Sequence, residues 1–162
     1  MTHRTDRMVH WAGWIIALYG CAHTTGALTV EGAASHAGAW FSGALWNESF
    51  SAMSPAGSAF WFSLESFGIP LILIGLIVVW MYRKDIAPPA FLPWCLIGWT
   101  IIDAAVLLLT PWPLMLIAEI LLVVGIRRSD RKRSQGRRSP ERGDLQGSVT
   151  FKAGIETADQ ST

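Results

Sequence analysis

Hydrophobic residues in this chain come as long runs rather than as alternation. Four stretches, 9–30, 58–80, 90–110 and 112–126, are nearly continuous in apolar residues. A run of about 20 such residues matches the ~30 Å hydrocarbon thickness of a bilayer. The pattern predicts an all-α, integral membrane four-helix bundle. Polar punctuation supports the boundaries. Ser54-Pro55 is a helix-start signal, a capping hydroxyl followed by a ring that fits the first turn. Pro88-Pro89 and Pro111-Trp112-Pro113 break the chain before the third and fourth spans. Within the second span, Pro70 has no N–H for the Ser66 carbonyl, and that freed oxygen needs a partner or a cavity.

Between the first two spans, Ala37, Trp40, Phe41, Ala44 and Leu45 follow helical spacing with one apolar face. This predicts a short helix lying in the membrane interface. In the first span, Gly13, Ala17, Gly20 and Thr24 recur every three or four positions. Small residues at that spacing let a second helix approach closely.

Charge adds an orientation. The 162 residues contain 13 Lys and Arg and 12 Asp and Glu. No Lys or Arg lies between Arg7 and Arg83. Arg4, Arg7, Arg83, Lys84 and the basic tail all fall on one side of a four-span protein. The positive-inside rule then places both termini in the cytoplasm, with the chain in the cytoplasmic membrane. Residues 1–8 form a cytoplasmic N-terminus, 9–126 the membrane domain, and 127–162 a basic tail expected to be disordered. Arg127, Arg128, Arg131, Lys132 and Arg133 would meet anionic lipid headgroups. No aromatic residues interleave with these charges, so nucleic acid is not an expected partner.

Each apolar run carries one acid or imidazole in its interior: His23, Glu65, Asp103 and Glu119. Each is seven residues from the outer ends of the runs at Val30, Ser58, Thr110 and Trp112. That puts all of them about 10 Å below one face. An isolated charge at such depth costs at least ~2.5 kcal/mol. They are therefore expected to face one another, with Tyr19, Thr24, Ser66 and Thr100 adding hydrogen bonds. Trp40, Phe41, Leu45 and Trp46 would form a lid over them.

Other chemistry finds little support. The Glu-x-x-His pairs of di-metal bundles are absent, so no metal is expected. There is no phosphate-binding glycine loop, nucleophile elbow or dinucleotide fingerprint, and no cofactor is implied. Cys21 and Cys95 read as small buried hydrophobes. Leu18-Tyr19-Gly20-Cys21 looks like a lipoprotein cleavage box, but Tyr19 fits it poorly and the apolar run continues, so the segment reads as a retained span.

Several motifs in order resemble a family of small four-span membrane proteins, common in actinobacteria, classed only as a domain of unknown function. They are Gly20-x-x-His23-x-x-Gly26, Trp40-Phe41-x-Gly43-x-Leu45-Trp46, Ser54-Pro55 with Phe60-Trp61-Phe62, Phe67-Gly68-x-Pro70, Pro88-Pro89-x-Phe91 and Pro111-Trp112-Pro113. The resemblance spans Trp11 to Gly125. It implies the topology and supplies no activity.

The sequence thus supports a structural or accessory membrane component whose polar layer fixes the bundle. The alternative is a proton-linked carrier or binder of a small amphiphile. A third reading is a membrane enzyme with His23 as base, of unspecified reaction. Four spans leave little room for a private transport path, so a homodimer is expected.

Overall fold

The computed structural model describes residues 5–106 and 111–159, with side chains through residue 135. The described residues are helical, with no strands. Helix α1 is Arg7–Thr29, α2 is Ala37–Phe41, α3 is Pro55–Ser63, α4 is Gly68–Arg83, α5 is Phe91–Val106 and α6 is Trp112–Asp159. Short 3₁₀ turns at Ala33–His36 and Phe50–Ala52 complete the connection between α1 and α3. Residues 107–110, at the end of the expected third span, lie outside the described region.

Helix α1 is the centre of the bundle. It packs along α4 on one side and α6 on the other, and α6 packs along α5. Helices α1 and α4 run antiparallel, since Gly13 meets Gly75 while Gly20 meets Gly68. The core side chains follow helical periods: Val9, Ala12 and Ile16 from α1, Leu71 and Val78 from α4, and Met115, Ala118 and Leu122 from α6. Helix α5 contributes one narrow stripe, Pro93, Leu96 and Thr100. Its remaining surface is apolar and exposed, including Trp99, Ile101 and Ile102.

The small-residue spacing in α1 is explained by the α1–α4 seam. A Cβ added at Gly75 would sit 2.5 Å from the Ala17 amide nitrogen and 2.5 Å from the Gly13 carbonyl oxygen. A Cβ at Gly13 would sit 2.9 Å from the Gly75 carbonyl. Backbones this close leave no room for side chains, and dispersion and weak polar contacts replace them.

The second expected span is broken. Ser54 caps α3, its hydroxyl accepting from the Gly57 amide at 3.1 Å, as the Ser-Pro signal predicts. Helix α3 then closes at Ser63, and α4 starts anew at Gly68. Pro70 therefore lies in the first turn of α4, where its missing N–H is harmless. The expected span-interior proline is corrected accordingly: the conflict with Ser66 is relieved by leaving residues 64–67 non-helical. The short helix between the first two spans is present but covers only Ala37–Phe41, because Gly43 takes a left-handed φ of 79° and ends the helical path before Ala44 and Leu45.

Two further expectations change. The tail, expected to be disordered, continues α6 to Asp159. Its first turns are held by the N-terminal segment and by the residue that ends α4. Lys132 pairs with Asp6 at 3.1 Å, Arg133 donates to the Asp85 carbonyl at 2.7 Å, and Ser129 accepts from the Asp6 amide at 2.9 Å. Arg, Lys and Gln are also good helix formers. Cys21 and Cys95, read as buried, are free thiols on exposed faces of α1 and α5, because the narrow contact stripes of those helices pass on the other side.

The same corner holds the N-terminus. The Asp6 carboxylate caps α1 by accepting from the Met8 amide at 3.1 Å. Asp85 stops α4 in a left-handed conformation, φ 57°, and its carboxylate accepts from the Thr5 amide and hydroxyl at 2.7 and 2.8 Å. Burial raises the pKa of Asp6, but the Met8 amide, the Lys132 bond and charge, and the Arg128 charge outweigh it and hold the carboxyl below its ordinary value. A depressed acid stabilises the fold at pH values above the ordinary carboxylate range, and that contribution fades as pH falls through the lower folded-state value. Asp6→Ala should lower unfolding stability by about 1 kcal/mol through loss of the cap. Asp6→Asn should keep most of the cap and flatten the acid end of the profile. Thermal unfolding of the purified chain from neutral to acid pH reads both effects.

Candidate functional site

Helix α1 builds one wall of the site. Tyr19 and His23 lie one turn apart on the same face, followed by Ala27 and Val30. The opposite side comes from the break between α3 and α4. There Ser66 Oγ lies 3.0 Å from His23 Nε2, and the Phe67 ring lies against the imidazole with centroids 4.0 Å apart. The break therefore gives the site two groups that a continuous helix would turn elsewhere. Gly68 keeps the contact close, because a Cβ there would meet the Thr24 hydroxyl and come within 3.1 Å of His23 Cδ2.

Helix α5 supplies Asp103. Together these elements enclose a cavity of about 930 Å³. Its walls are mostly apolar, with Ile15, Leu18, Phe67 and Leu114 among them, and His23, Asp103 and Glu31 are its acid–base groups. Leu18 is 60% exposed and Val30 87% exposed, so the cavity opens sideways along α1. That volume falls within the roughly 300–1,000 Å³ typical of small-ligand pockets, which are likewise apolar with a few placed polar groups.

The expected cluster of His23, Glu65, Asp103 and Glu119 is thus brought together in part. His23 and Asp103 share the cavity. Glu119 is fully buried behind it, its Oε1 accepting from the Thr100 hydroxyl at 2.6 Å. Thr100 stands one turn before Asp103, and a pocket of about 20 Å³ touches Thr100, Asp103 and Tyr19. That is room for about one water molecule. Glu119 Oε2 has no hydrogen-bond partner among the described residues.

Glu65 does not join them. It is exposed, and it lines a separate pocket with Trp40, Glu48 and Trp61. The cause is the break after Ser63. The amides of Leu64 and Glu65 both turn back to the Phe60 carbonyl, which rotates Glu65 out of the register of α4. The expected lid is displaced with it. Trp40 and Leu45 line that second pocket, while Phe41 and Trp46 are 85% and 89% exposed. Neither pair covers His23. Among the described residues, no three His, Cys, Asp or Glu side chains are grouped to hold a metal ion.

Sequence reasoning missed Phe67 as the platform under His23. The signal was there: an aromatic directly before the Gly68-x-Pro70 start of a helix. It also missed the Thr5–Asp85 and Asp6–Ser129 contacts, although Thr5-Asp6 before an apolar run is a capping pattern.

What fold and site define is an all-α protein with a side-opening apolar cavity and, at its wall, a hydrogen-bonded histidine packed against an aromatic ring. The chain belongs to a family of unknown function (DUF6463), whose model matches residues 7–129 and so includes every residue of this site. No curated protein and no solved structure matches it.

Proposed function

We propose that this protein is a four-span integral membrane protein, with both termini cytoplasmic, that binds a small amphiphile in the cavity beside His23. The observation that carries the reading is the cavity itself, about 930 Å³ with apolar walls and His23 and Asp103 as polar fixtures. An acyl or isoprenoid chain fits the walls, and a headgroup with hydrogen-bonding capacity fits the imidazole and carboxylate.

The membrane setting is supported by several features. The stretch Pro55–Arg83, counted across its break, is long and apolar enough to cross a bilayer, and Phe91–Val106 is a shorter apolar helix. Exposed apolar residues line the outward faces of α4 and α5, including Leu73, Leu76, Ile77, Trp94 and Ile102. In water, an apolar patch of that extent would drive association. The basic residues gather at the opposite end from His23. Lys132 and Arg133 are engaged with Asp6 and Asp85, which leaves exposed Arg127, Arg128 and Arg131 for anionic headgroups.

A structural role is favoured for one member of the expected cluster only. Glu119 is buried and bonded to Thr100, away from the cavity lining.

The test is native mass spectrometry of the full chain released from nanodiscs. Wild type should retain one amphiphile at stoichiometric level through washing with competing detergent. Ala22→Trp, which places an indole in the cavity, should lose it. His23→Leu should weaken retention by about tenfold, the loss of one charge-assisted or strong hydrogen bond. If wild type carries only the bulk lipid mixture, and both variants carry the same, the binding reading fails.

A further inference from the structure

A second pocket lies among the loops at the end of the bundle that carries His23. It encloses about 240 Å³ and shares no lining residue with the larger cavity. Four aromatic side chains line it: Trp40, Phe50, Phe60 and Trp61. They form two edge-to-face pairs. Trp40 and Phe60 have centroids 5.5 Å apart at 70°, and Phe50 and Trp61 have centroids 5.2 Å apart at 87°. Trp40 is further fixed by its Nε1 donating to the Ala56 carbonyl at 2.9 Å.

Two carboxylates complete the lining, Glu48 and Glu65. Glu48 is held in place, with Oε1 accepting from the Ser54 amide at 2.6 Å and its carboxyl group lying against Gly57. Gly57 has no alternative here, since a Cβ would collide with that carboxyl group. No Lys or Arg occurs between Arg7 and Arg83 to neutralise either acid. Four aromatic rings and two acids lining one small pocket suit a cation whose charge is spread over an apolar surface.

We propose that this pocket binds a substituted-ammonium cation. Ring faces attract such cations through their quadrupoles, most strongly for Trp, and carboxylates add Coulombic attraction. The volume is below the roughly 300 Å³ at which drug-sized pockets begin, so the occupant is a single headgroup-sized cation. The site is independent of the amphiphile cavity and stands or falls separately from it.

The experiment is isothermal titration of the full chain, in phosphatidylglycerol nanodiscs, with choline chloride. The neutral carbon isostere of choline, 3,3-dimethylbutan-1-ol, serves as the control. Wild type should bind the cation saturably and the isostere at least tenfold more weakly, the span expected of a desolvated cation–π contact of about 1–2 kcal/mol. Trp61→Leu should weaken cation binding roughly tenfold and Glu65→Gln by about two- to fivefold, while His23→Leu leaves it unchanged. Glu65 is exposed, so Glu65→Gln carries the test if Trp61→Leu fails to fold, as judged by size exclusion. Repeating the titration in nanodiscs that contain phosphatidylcholine separates the sources. Competition there assigns the cation to a lipid headgroup, and unchanged affinity assigns it to a free solute; both uphold the site. Absence of saturable binding, equal binding of the isostere, wild-type affinity in both pocket variants, or an equal loss in His23→Leu would each overturn it.

Discussion

Replacing Gly75 with leucine will separate α1 from α4 and cost the protein its fold. Even an alanine Cβ at this position would press on the Ala17 nitrogen and the Gly13 oxygen at 2.5 Å, and on the Ala17 Cβ at 2.8 Å. Backbone atoms in two helices cannot rotate aside as a side chain can, so the helices themselves must part. Overpacking of a tight contact costs about 1–3 kcal/mol, and a branched side chain in this seam should exceed that range. Gly75→Ala is therefore expected to lower stability by about 1–3 kcal/mol, and Gly75→Leu to yield aggregated or dispersed species on size exclusion. Gly98, in the interior of α5, is the control. A Cβ there meets nothing within 4 Å. Gly98→Ala should be neutral or stabilise by up to about 1 kcal/mol, the helix-propensity gain. Equal effects at the two glycines would show that α1 and α4 do not meet as described. The seam also bears on the site, because Gly20 and Gly68 belong to it and Gly68 lies beside His23. Loosening it should weaken amphiphile retention before it unfolds the chain.

How much of this was legible in advance depends on whether a residue's position was set by local signals or by a partner distant in sequence. The Ser54-Pro55 start of α3 is local, and the hydroxyl caps as expected. The small-residue spacing at Gly13, Ala17 and Gly20 is local too, and it named a contact face without naming the partner. Gly68 and Gly75 form the complementary face, seven residues apart, and were not recognised as such. The depth argument for His23, Glu65, Asp103 and Glu119 assumed continuous helices. The grouping is seen for His23 and Asp103, which line one cavity. It fails for Glu65 because Gly68 and Pro70 let the chain restart rather than kink, and a few non-helical residues are enough to turn a side chain to another face. Phe67 and Ser66 became site residues through that same break. The tail was misread because composition alone weighed on it. The acceptors that hold Lys132 and Arg133, on Asp6 and Asp85, lie 126 and 48 residues away in sequence.

The buried Thr100–Glu119 pair should behave as a single unit. Glu119 is wholly inaccessible, and its one described bond is the 2.6 Å contact from the Thr100 hydroxyl. Removing the donor alone, in Thr100→Val, leaves both carboxyl oxygens without a partner among the described residues. Stranding a buried polar group costs about 1–3 kcal/mol, more when the group is charged. Glu119→Leu should cost less, because a threonine hydroxyl in a helix can turn to the carbonyl a turn behind it and leucine fills the space of the acid. The double variant Thr100→Val with Glu119→Leu should recover most of the loss seen in Thr100→Val, since replacing both partners by apolar groups of similar shape is close to neutral. The coupling read from the cycle should fall at about 0.5–3 kcal/mol. Additive losses would mean that the hydroxyl and the carboxyl act separately. Amphiphile retention discriminates roles within the same set of proteins. Glu119 does not line the large cavity, so the double variant should hold the amphiphile as wild type does, whereas Asp103→Asn, which changes the cavity wall, should not. A double variant that folds normally yet loses the amphiphile would move Glu119 from the packing of α5 on α6 into the binding chemistry.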